Sequence, residues 1–361
     1  MKVLHLITTL EPGGAEKHLM HLSQEQSRRG HDVVIVFLKG KGTLKKQFTS
    51  QEVRIESRFS NKNIIYQFIR LVFFIKKSNP DIVHCHLPRS EILGILASLV
   101  LKNKVILSKH NSEKFWPKGP NLLSTSAARF INLRANAIVC ISSATRDYLL
   151  SMGEVRSSNS IFVVHYGVTR PAAKDQVSIR VCDEKPLRLL TFSRLVPQKN
   201  LTNLILAISS LKLSGQDVLL DIYGEGPLQA ELLRLTNELN LSSQVRINKP
   251  VLHSDLILTE CDIFLLVSHY EGFGLAALEA VSWGKPVIAS NTGALKEVLG
   301  PTYPYFVDRL KPKEIADMVE RVRHDLISGV SPNFNEILSR FDLIDKASEI
   351  DNVYRVVVGY E

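Results

Sequence analysis

The four cysteines of this 361-residue chain, Cys85, Cys140, Cys182 and Cys261, stand far apart and form no CxxC. That spacing argues against a disulfide framework, and the thiols read as reduced and mostly buried, as in a cytosolic protein. No uncharged apolar run approaches the length of about 18 residues needed to span a bilayer. The opening stretch Met1–Leu10 is too short for a signal peptide, and Pro12-Gly13-Gly14 follows it directly, so it reads as a first strand and its loop. An aromatic stripe, a zinc pattern and a helix-turn-helix are all missing, which leaves little to support a nucleic-acid-binding protein. Acidic residues are scarce in one half only. Residues 1–180 carry 27 Lys and Arg against 12 Asp and Glu, whereas 181–361 carry 18 against 24. The basic half is either a solvated surface or the part that meets an anion: nucleic acid, an anionic membrane surface or a phosphorylated acceptor.

What is present is a repeated alternation of short apolar runs and helical patterns over a length suited to two domains. Val3–Thr9 reads as a strand, Ala15–Arg29 as a helix capped by Gly30, and His31–Phe37 as a second strand. This is the first βαβ unit of a doubly wound domain, and Gly14 at its turn would let the backbone approach a ligand. Asn63–Lys77 is an apolar helix with basic ends, which either packs on the sheet or rests on anionic lipid. Asp81–His86 is a buried strand that puts His84 and His86 on one face. No further ligand has metal-site spacing, and the two histidines are expected near the strand's end, facing a cleft. The strand Lys104–Ser108 delivers Lys109-His110-Asn111 to the same edge. Glu113–Pro120 is an aromatic and basic loop, either a lid, an acceptor contact or a plain connection. Ala137–Ile141 and Ser160–Val164 complete the parallel set, with Ser142 as an N-cap.

The mixed stretch 169–186 reads as a linker between a domain of residues 1–168 and one of residues 187–339. In the second half Leu187–Phe192 is a strand, followed by Ser193-Arg194 and Lys199 before a helix. Two cations beside a helix N-terminus make a diphosphate clamp. Val218–Tyr223 leads into Gly224-Glu-Gly-Pro227. The densest motif is Tyr270–Gly293. The strand Asp262–Val267 precedes it, Glu271-Gly-Phe-Gly274 forms a glycine turn, a helix carries Glu279, and Gly284–Ala289 returns as a strand. Such a unit points backbone N–H groups at an anion, with two carboxylates eight residues apart beside it.

Gly13-Gly14-x-Glu16, Ser193-Arg194…Lys199, Tyr223-Gly-Glu-Gly-Pro227 and Glu271-Gly-Phe-Gly-Leu275…Glu279…Gly284-Lys-Pro, in this order along nearly the whole chain, resemble glycosyltransferase family 4. The resemblance implies GT-B architecture, two Rossmann-like α/β domains facing each other across a cleft, with residues 340–361 forming a helix that crosses back to the first domain. It implies a retaining transfer of a hexose or N-acetylhexosamine from a nucleotide-sugar, UDP-linked in the first instance, to a glycan acceptor. In it Arg194 and Lys199 bind the diphosphate, Glu279 the ribose hydroxyls and Glu271 the donor sugar near the reacting face. The N–H groups of Phe273, Gly274 and Leu275 complete that site. Gly14 lies beneath the diphosphate or acceptor, His110 bonds the sugar or positions the acceptor, and the base sits near Gly224 and Lys249–Val251. No metal or other cofactor is expected. The basic first half and the Asn63–Lys77 helix favour a lipid-linked acceptor in surface polysaccharide or O-antigen synthesis, on the cytoplasmic face of the inner membrane. The sequence departs from the family where His165-Tyr166-Gly167-Val168 replaces Asn-Gly-Val, at Lys249 for glycine, and at Ala276 and Ala277 for proline. A nucleotide-sugar epimerase of similar shape is the competing enzyme, and it would need an acid/base pair that the sequence does not display.

Overall fold

The computed structural model describes residues 1–49, 53–112, 121–156, 160–171, 186–251 and 254–359. The loop 113–120, most of the expected linker (172–185) and Cys182 lie outside them. The chain divides into two units, Met1–Gly167 with Phe341–Glu361, and Val168–Arg340.

The first unit is a seven-stranded parallel sheet. Its strands are β1 (Lys2–Ile7), β2 (Asp32–Phe37), β3 (Arg54–Glu56), β4 (Ile82–His86), β5 (Val105–Lys109), β6 (Ala137–Cys140) and β7 (Ile161–Val163). They lie in the order β3-β2-β1-β4-β5-β6-β7. The central strands are apolar runs buried along nearly their whole length, as expected for a parallel sheet covered on both faces. The helices are α1 (Gly14–Arg28), α2 (Lys45–Thr49), α3 (Ile64–Ser78), α4 (Pro88–Leu101), α5 (Asn121–Arg134), α6 (Ser143–Ser151) and, from the far end of the chain, α14 (Leu343–Val358). On one face Leu4, Leu6, Val83 and Cys85 pack with residues of α3, α4 and α5. On the other face Val3 and Ile82 pack with Leu22 of α1 and with Ala347, Ile350 and Tyr354 of α14.

Local chemistry sets the helix ends. Asn63 caps α3 by accepting from the Tyr66 N–H at 2.8 Å, and left-handed Asn79 ends it. Ser142 caps α6 as expected, accepting from the Thr145 N–H at 2.9 Å. Asp342 caps α14 through the Ile344 N–H at 2.9 Å. Arg29 then holds α14 on α1, donating to Ser348 at 2.9 Å, to Asp351 at 3.2 Å and to the Ile344 carbonyl.

The second unit is a six-stranded parallel sheet of β8 (Leu187–Phe192), β9 (Val218–Tyr223), β10 (Val245–Asn248), β11 (Ile263–Leu266), β12 (Val287–Ser290) and β13 (Phe306–Val307). Their order is β10-β9-β8-β11-β12-β13. The helices are α7 (Leu201–Leu213), α8 (Gln229–Glu238), α9 (Ser254–Glu260), α10 (Leu275–Ser282), α11 (Gly293–Leu299), α12 (Pro312–Ile327) and α13 (Phe334–Ser339). Each sheet reverses its winding once, between β1 and β4 and between β8 and β11. In open α/β sheets ligands bind beyond the strand ends at that reversal.

Candidate functional site

In the second unit the reversal falls where the sequence puts its charges. Arg194 and Lys199 follow β8, and Glu271 follows the neighbouring strand β11. The structure joins them: Lys199 Nζ donates to Glu271 Oε1 at 2.6 Å, and the Ser268 hydroxyl donates to the same oxygen at 2.6 Å. The Lys199 and Glu271 side chains are 13% and 9% exposed, so the pair is shielded and its Coulomb term outweighs that of a surface bridge. Arg194 is exposed and donates to Gln198 Oε1 at 3.1 Å. Gln198 in turn donates to the Tyr270 carbonyl at 3.0 Å, and its own carbonyl accepts from the His269 N–H at 2.8 Å. Asn200 donates to the Val267 carbonyl at 3.1 Å and to the Arg309 carbonyl at 2.8 Å. Gln198 and Asn200 therefore stitch the two charged loops together, while Ser268 holds Glu271 from within its own loop. Nothing in their spacing along the sequence marks them for that work.

Two glycines are required here by geometry. A Cβ on Gly224 would lie 1.8 Å from the Ser193 carbonyl oxygen, so the β9 loop can pass beneath Ser193-Arg194 only with glycine. Gly274 has φ 102° and ψ 41° and opens α10, and a Cβ there would strike Leu295. Its turn places Phe273, Gly274 and Leu275 at the positive end of α10, with Glu279 half-buried about one turn into the helix. The Gly224 N–H donates to the Asn248 carbonyl at 2.9 Å. Gly224 and the Lys249–Val251 segment thus leave neighbouring strand ends.

In the first unit Gly13 and Gly14 open α1 at the end of β1, and Glu16 in its first turn accepts from Thr9 Oγ1 at 2.5 Å. Lys109 is locked to Glu91 of α4 at 2.6 Å, with both side chains almost fully buried. His110 follows. Its Nε2 meets His86 Nδ1 at 3.0 Å and its Nδ1 meets the Tyr166 hydroxyl, so both ring nitrogens have protein partners. In this arrangement His110 can reach a substrate hydroxyl only by releasing one of them. His18 stacks on Tyr166 with ring centroids 4.1 Å apart.

His84 and His86 do share one face, but the expectation that they face a cleft is corrected. Both are 0% exposed, because α1 and α14 cover that face of the sheet. The third histidine is His5, which pairs with His84 across β1 and β4. Ligand atoms of His5, His84 and His86 lie within 4.8 Å of one another, close enough to hold a metal ion. All six of their nitrogens nevertheless have hydrogen-bond partners in the protein. His5 meets His86 at 3.0 Å and Gln26 at 2.8 Å; His84 meets Tyr354 at 2.7 Å and Ser108 at 2.7 Å; His86 meets His5 and His110. Burial pushes the rings away from protonation. It lowers His5 to about 4 and His110 to about 3, and takes His84 and His86 well below the usual histidine range.

Two family models cover most of the chain. The one described as Glycosyltransferase Family 4 matches residues 12–170, and the one described as Glycosyl transferases group 1 matches residues 174–328. The phosphatidylinositol N-acetylglucosaminyltransferase gpi3 subunit of Schizosaccharomyces pombe is 23% identical over 95% of this chain and 78% of its own length. Among solved structures, Anabaena HepE in complex with UDP and glucose superposes with a TM-score of 0.84 at 20% identity, covering 98% of this chain and 99% of that one. Sucrose-phosphate synthase from Thermosynechococcus elongatus gives 0.81 at 17% identity, covering 100% of each chain. At these identities the structural matches establish a common fold of two parallel-sheet α/β domains.

Proposed function

We propose a specific reaction for this chain, which belongs to the family 4 glycosyltransferases of GT-B architecture and is a hexosyltransferase: transfer of a hexose or N-acetylhexosamine from a UDP-sugar to a lipid-linked glycan acceptor, with retention at the anomeric carbon. The observation that carries the donor part is the Lys199–Glu271 pair beside Arg194 at the winding reversal of the second sheet. A nucleotide-sugar needs cations for its diphosphate and acceptors for its sugar hydroxyls, and this cluster offers both within one bonded set. The UDP and glucose bound to HepE support the choice of donor class.

In this reading Arg194 and Lys199 take the diphosphate, joined by the N–H groups at Phe273, Gly274 and Leu275. Glu271 takes sugar hydroxyls and Glu279 the ribose. Gly224 and Val251 border the base. Gly14 at the start of α1 leaves room beneath the diphosphate or acceptor, and His110 orients the sugar or acceptor. As the acceptor oxygen bonds to C1, the C1–O bond to the β-phosphate breaks on the same face, and the acceptor's proton passes to the departing phosphate oxygen. The charge left on the diphosphate is met by Arg194, Lys199 and the α10 N-terminus, so a divalent ion is dispensable.

The acceptor part rests on the helical layer α3–α5, whose inner side packs into the sheet. Its outer side exposes Ile65, Ile69 and Phe73 of α3, Leu99 and Val100 of α4, and Leu123 of α5. Exposed Arg70, Lys76 and Lys77 stand on α3 among them. An apolar helix face with basic residues suits an anionic bilayer. Among the described residues no helix is long and apolar enough to cross one. The reading is a peripheral enzyme on the cytoplasmic face, acting in surface polysaccharide, lipopolysaccharide or O-antigen synthesis. A donor screen decides it: nucleotide release (UDP or GDP) from a panel of UDP- and GDP-sugars, with and without extracted lipid-linked glycans, and the anomeric configuration of the product read by NMR. Release that ignores the acceptor, or an inverted product, would overturn the reading.

A further inference from the structure

Eight buried side chains of the first unit form one unbroken hydrogen-bonded path: Ser108, His84, Tyr354, Gln26, His5, His86, His110 and Tyr166. A neutral imidazole has one N–H and one bare nitrogen. If one nitrogen donates, the other must accept, and a chain of such rings carries a single direction along its length. Every ring here is held neutral by burial. The direction is therefore set by a member whose two ends differ chemically. Gln26 is that member. Its Oε1, which can only accept, faces His5 Nε2 at 2.8 Å, and its NH2, which can only donate, faces the Tyr354 hydroxyl at 3.2 Å.

The remaining protons follow by elimination. His5 donates from Nε2, so its Nδ1 accepts from His86 Nε2–H. His86 Nδ1 then accepts from His110 Nε2–H, and His110 Nδ1 accepts from the Tyr166 hydroxyl. On the other arm Tyr354 donates to His84 Nδ1, and His84 Nε2–H donates to Ser108 Oγ. No junction carries two protons and none is left without one. Turning the Gln26 amide over would reverse every bond in the path.

We propose that Gln26 is a positioning residue which, through His5 and His86, fixes the proton of His110 on Nε2 and leaves Nδ1 as an acceptor. Gln26 lies on α1, separated from His110 by two other side chains, so it acts on His110 only through the rings between them. For turnover the consequence rests on the transferase reading above, in which His110 orients the sugar or acceptor. The proton placement itself does not.

Two-bond 1H–15N correlation spectra of histidine-labelled protein, without substrate, distinguish Nδ1–H from Nε2–H rings. The wild-type protein is expected to show His5, His86 and His110 all as Nε2–H. An Nδ1–H form at any of the three overturns the proposal, whether or not any variant folds. In Gln26→Met, which keeps the length and removes both polar ends, His110 is expected to become a mixture of the two forms. A His110 that stays wholly Nε2–H there overturns the role of Gln26. The same variant is expected to lose about tenfold in kcat, about the worth of one hydrogen bond, with the donor KM unchanged. A lost donor affinity with intact kcat would instead mark Gln26 as merely structural. Failure of wild-type turnover with every donor would sink the transferase reading and leave the spectra to decide the proton placement.

Discussion

Lys199 and Glu271 each hold a charge that the other makes tolerable, and Arg194 adds a cation exposed to solvent. Replacing Arg194 and Lys199 together by Ala should lower turnover by about 10²–10³-fold or more, since one contact to developing charge is worth that much. Near-normal turnover would remove both from the diphosphate site. If these cations do the work of a divalent ion, excess EDTA should leave UDP release unchanged, and recovery only on adding magnesium or manganese would refute that. Gly224 makes a different kind of contribution. Its missing Cβ is a spatial requirement, so Gly224→Ala must push the Ser193 carbonyl aside and should cost about 1–3 kcal/mol of stability. An unshifted denaturation midpoint for the second unit would show that the loop can move freely. The charged residues of this site were readable because Arg194 and Lys199 flank a helix start and Glu271 stands in a glycine turn. Gln198 and Asn200, which tie the two loops together, were not, because their partners come from the adjacent strand's loop about 70 residues away.

Helix α3 shows how an element can satisfy two readings at once. Gln67, Leu71 and Ile75 recur every four residues on the buried side, while Ile65, Ile69 and Phe73 recur every four on the exposed side. The sequence left packing and lipid contact as alternatives, and the structure supports packing along one stripe while leaving the other bare. Ile65→Glu with Phe73→Glu should reduce binding to anionic vesicles by tenfold or more, since inserting each apolar side chain is worth about 1.5–3 kcal/mol. Binding to neutral vesicles should be weaker, and added salt should weaken the anionic case. Equal sedimentation of the double variant and the wild type would rule out this face. Most strands were legible, because parallel strands buried on both sides are short apolar runs; the edge strand β3, with one apolar residue between Arg54 and Glu56, was not. Helix α4 is apolar on nearly every side, with Leu96, Leu99 and Val100 exposed and Leu93 and Ile95 buried, so no helical period announces it.

For the whole molecule, the titrating groups are unevenly shared. Burial lowers six histidines of the first unit: His5 and His21 to about 4, His110 to about 3, and His18, His84 and His86 well below their ordinary value. Unfolded, these groups take up protons near pH 6.5; folded, they refuse them until pH 4 or lower. The unfolded state thus binds more protons in that window. The stability these rings contribute is complete above about pH 6.5 and falls as the pH drops toward 4, by as much as about 1.4 kcal/mol per pH unit for each ring. Denaturant titrations at pH 7.5 and 5 should show the first unit losing far more than the second, and parallel losses would contradict the assignment. The histidine path behind this was only half visible in the sequence. His84 and His86 alternate along one strand, whereas Gln26 and Tyr354 are brought to it from 328 residues apart. That separation also sets a clock. Because Phe341–Glu361 completes the first unit, a ribosome that has made Gln26 needs on the order of 15–65 s to deliver Tyr354. In the later part of that interval residues 168–340 emerge as a self-contained insert, so they should become protease-resistant on stalled ribosomes first. The earliest residues to be synthesised would be the last to be sealed.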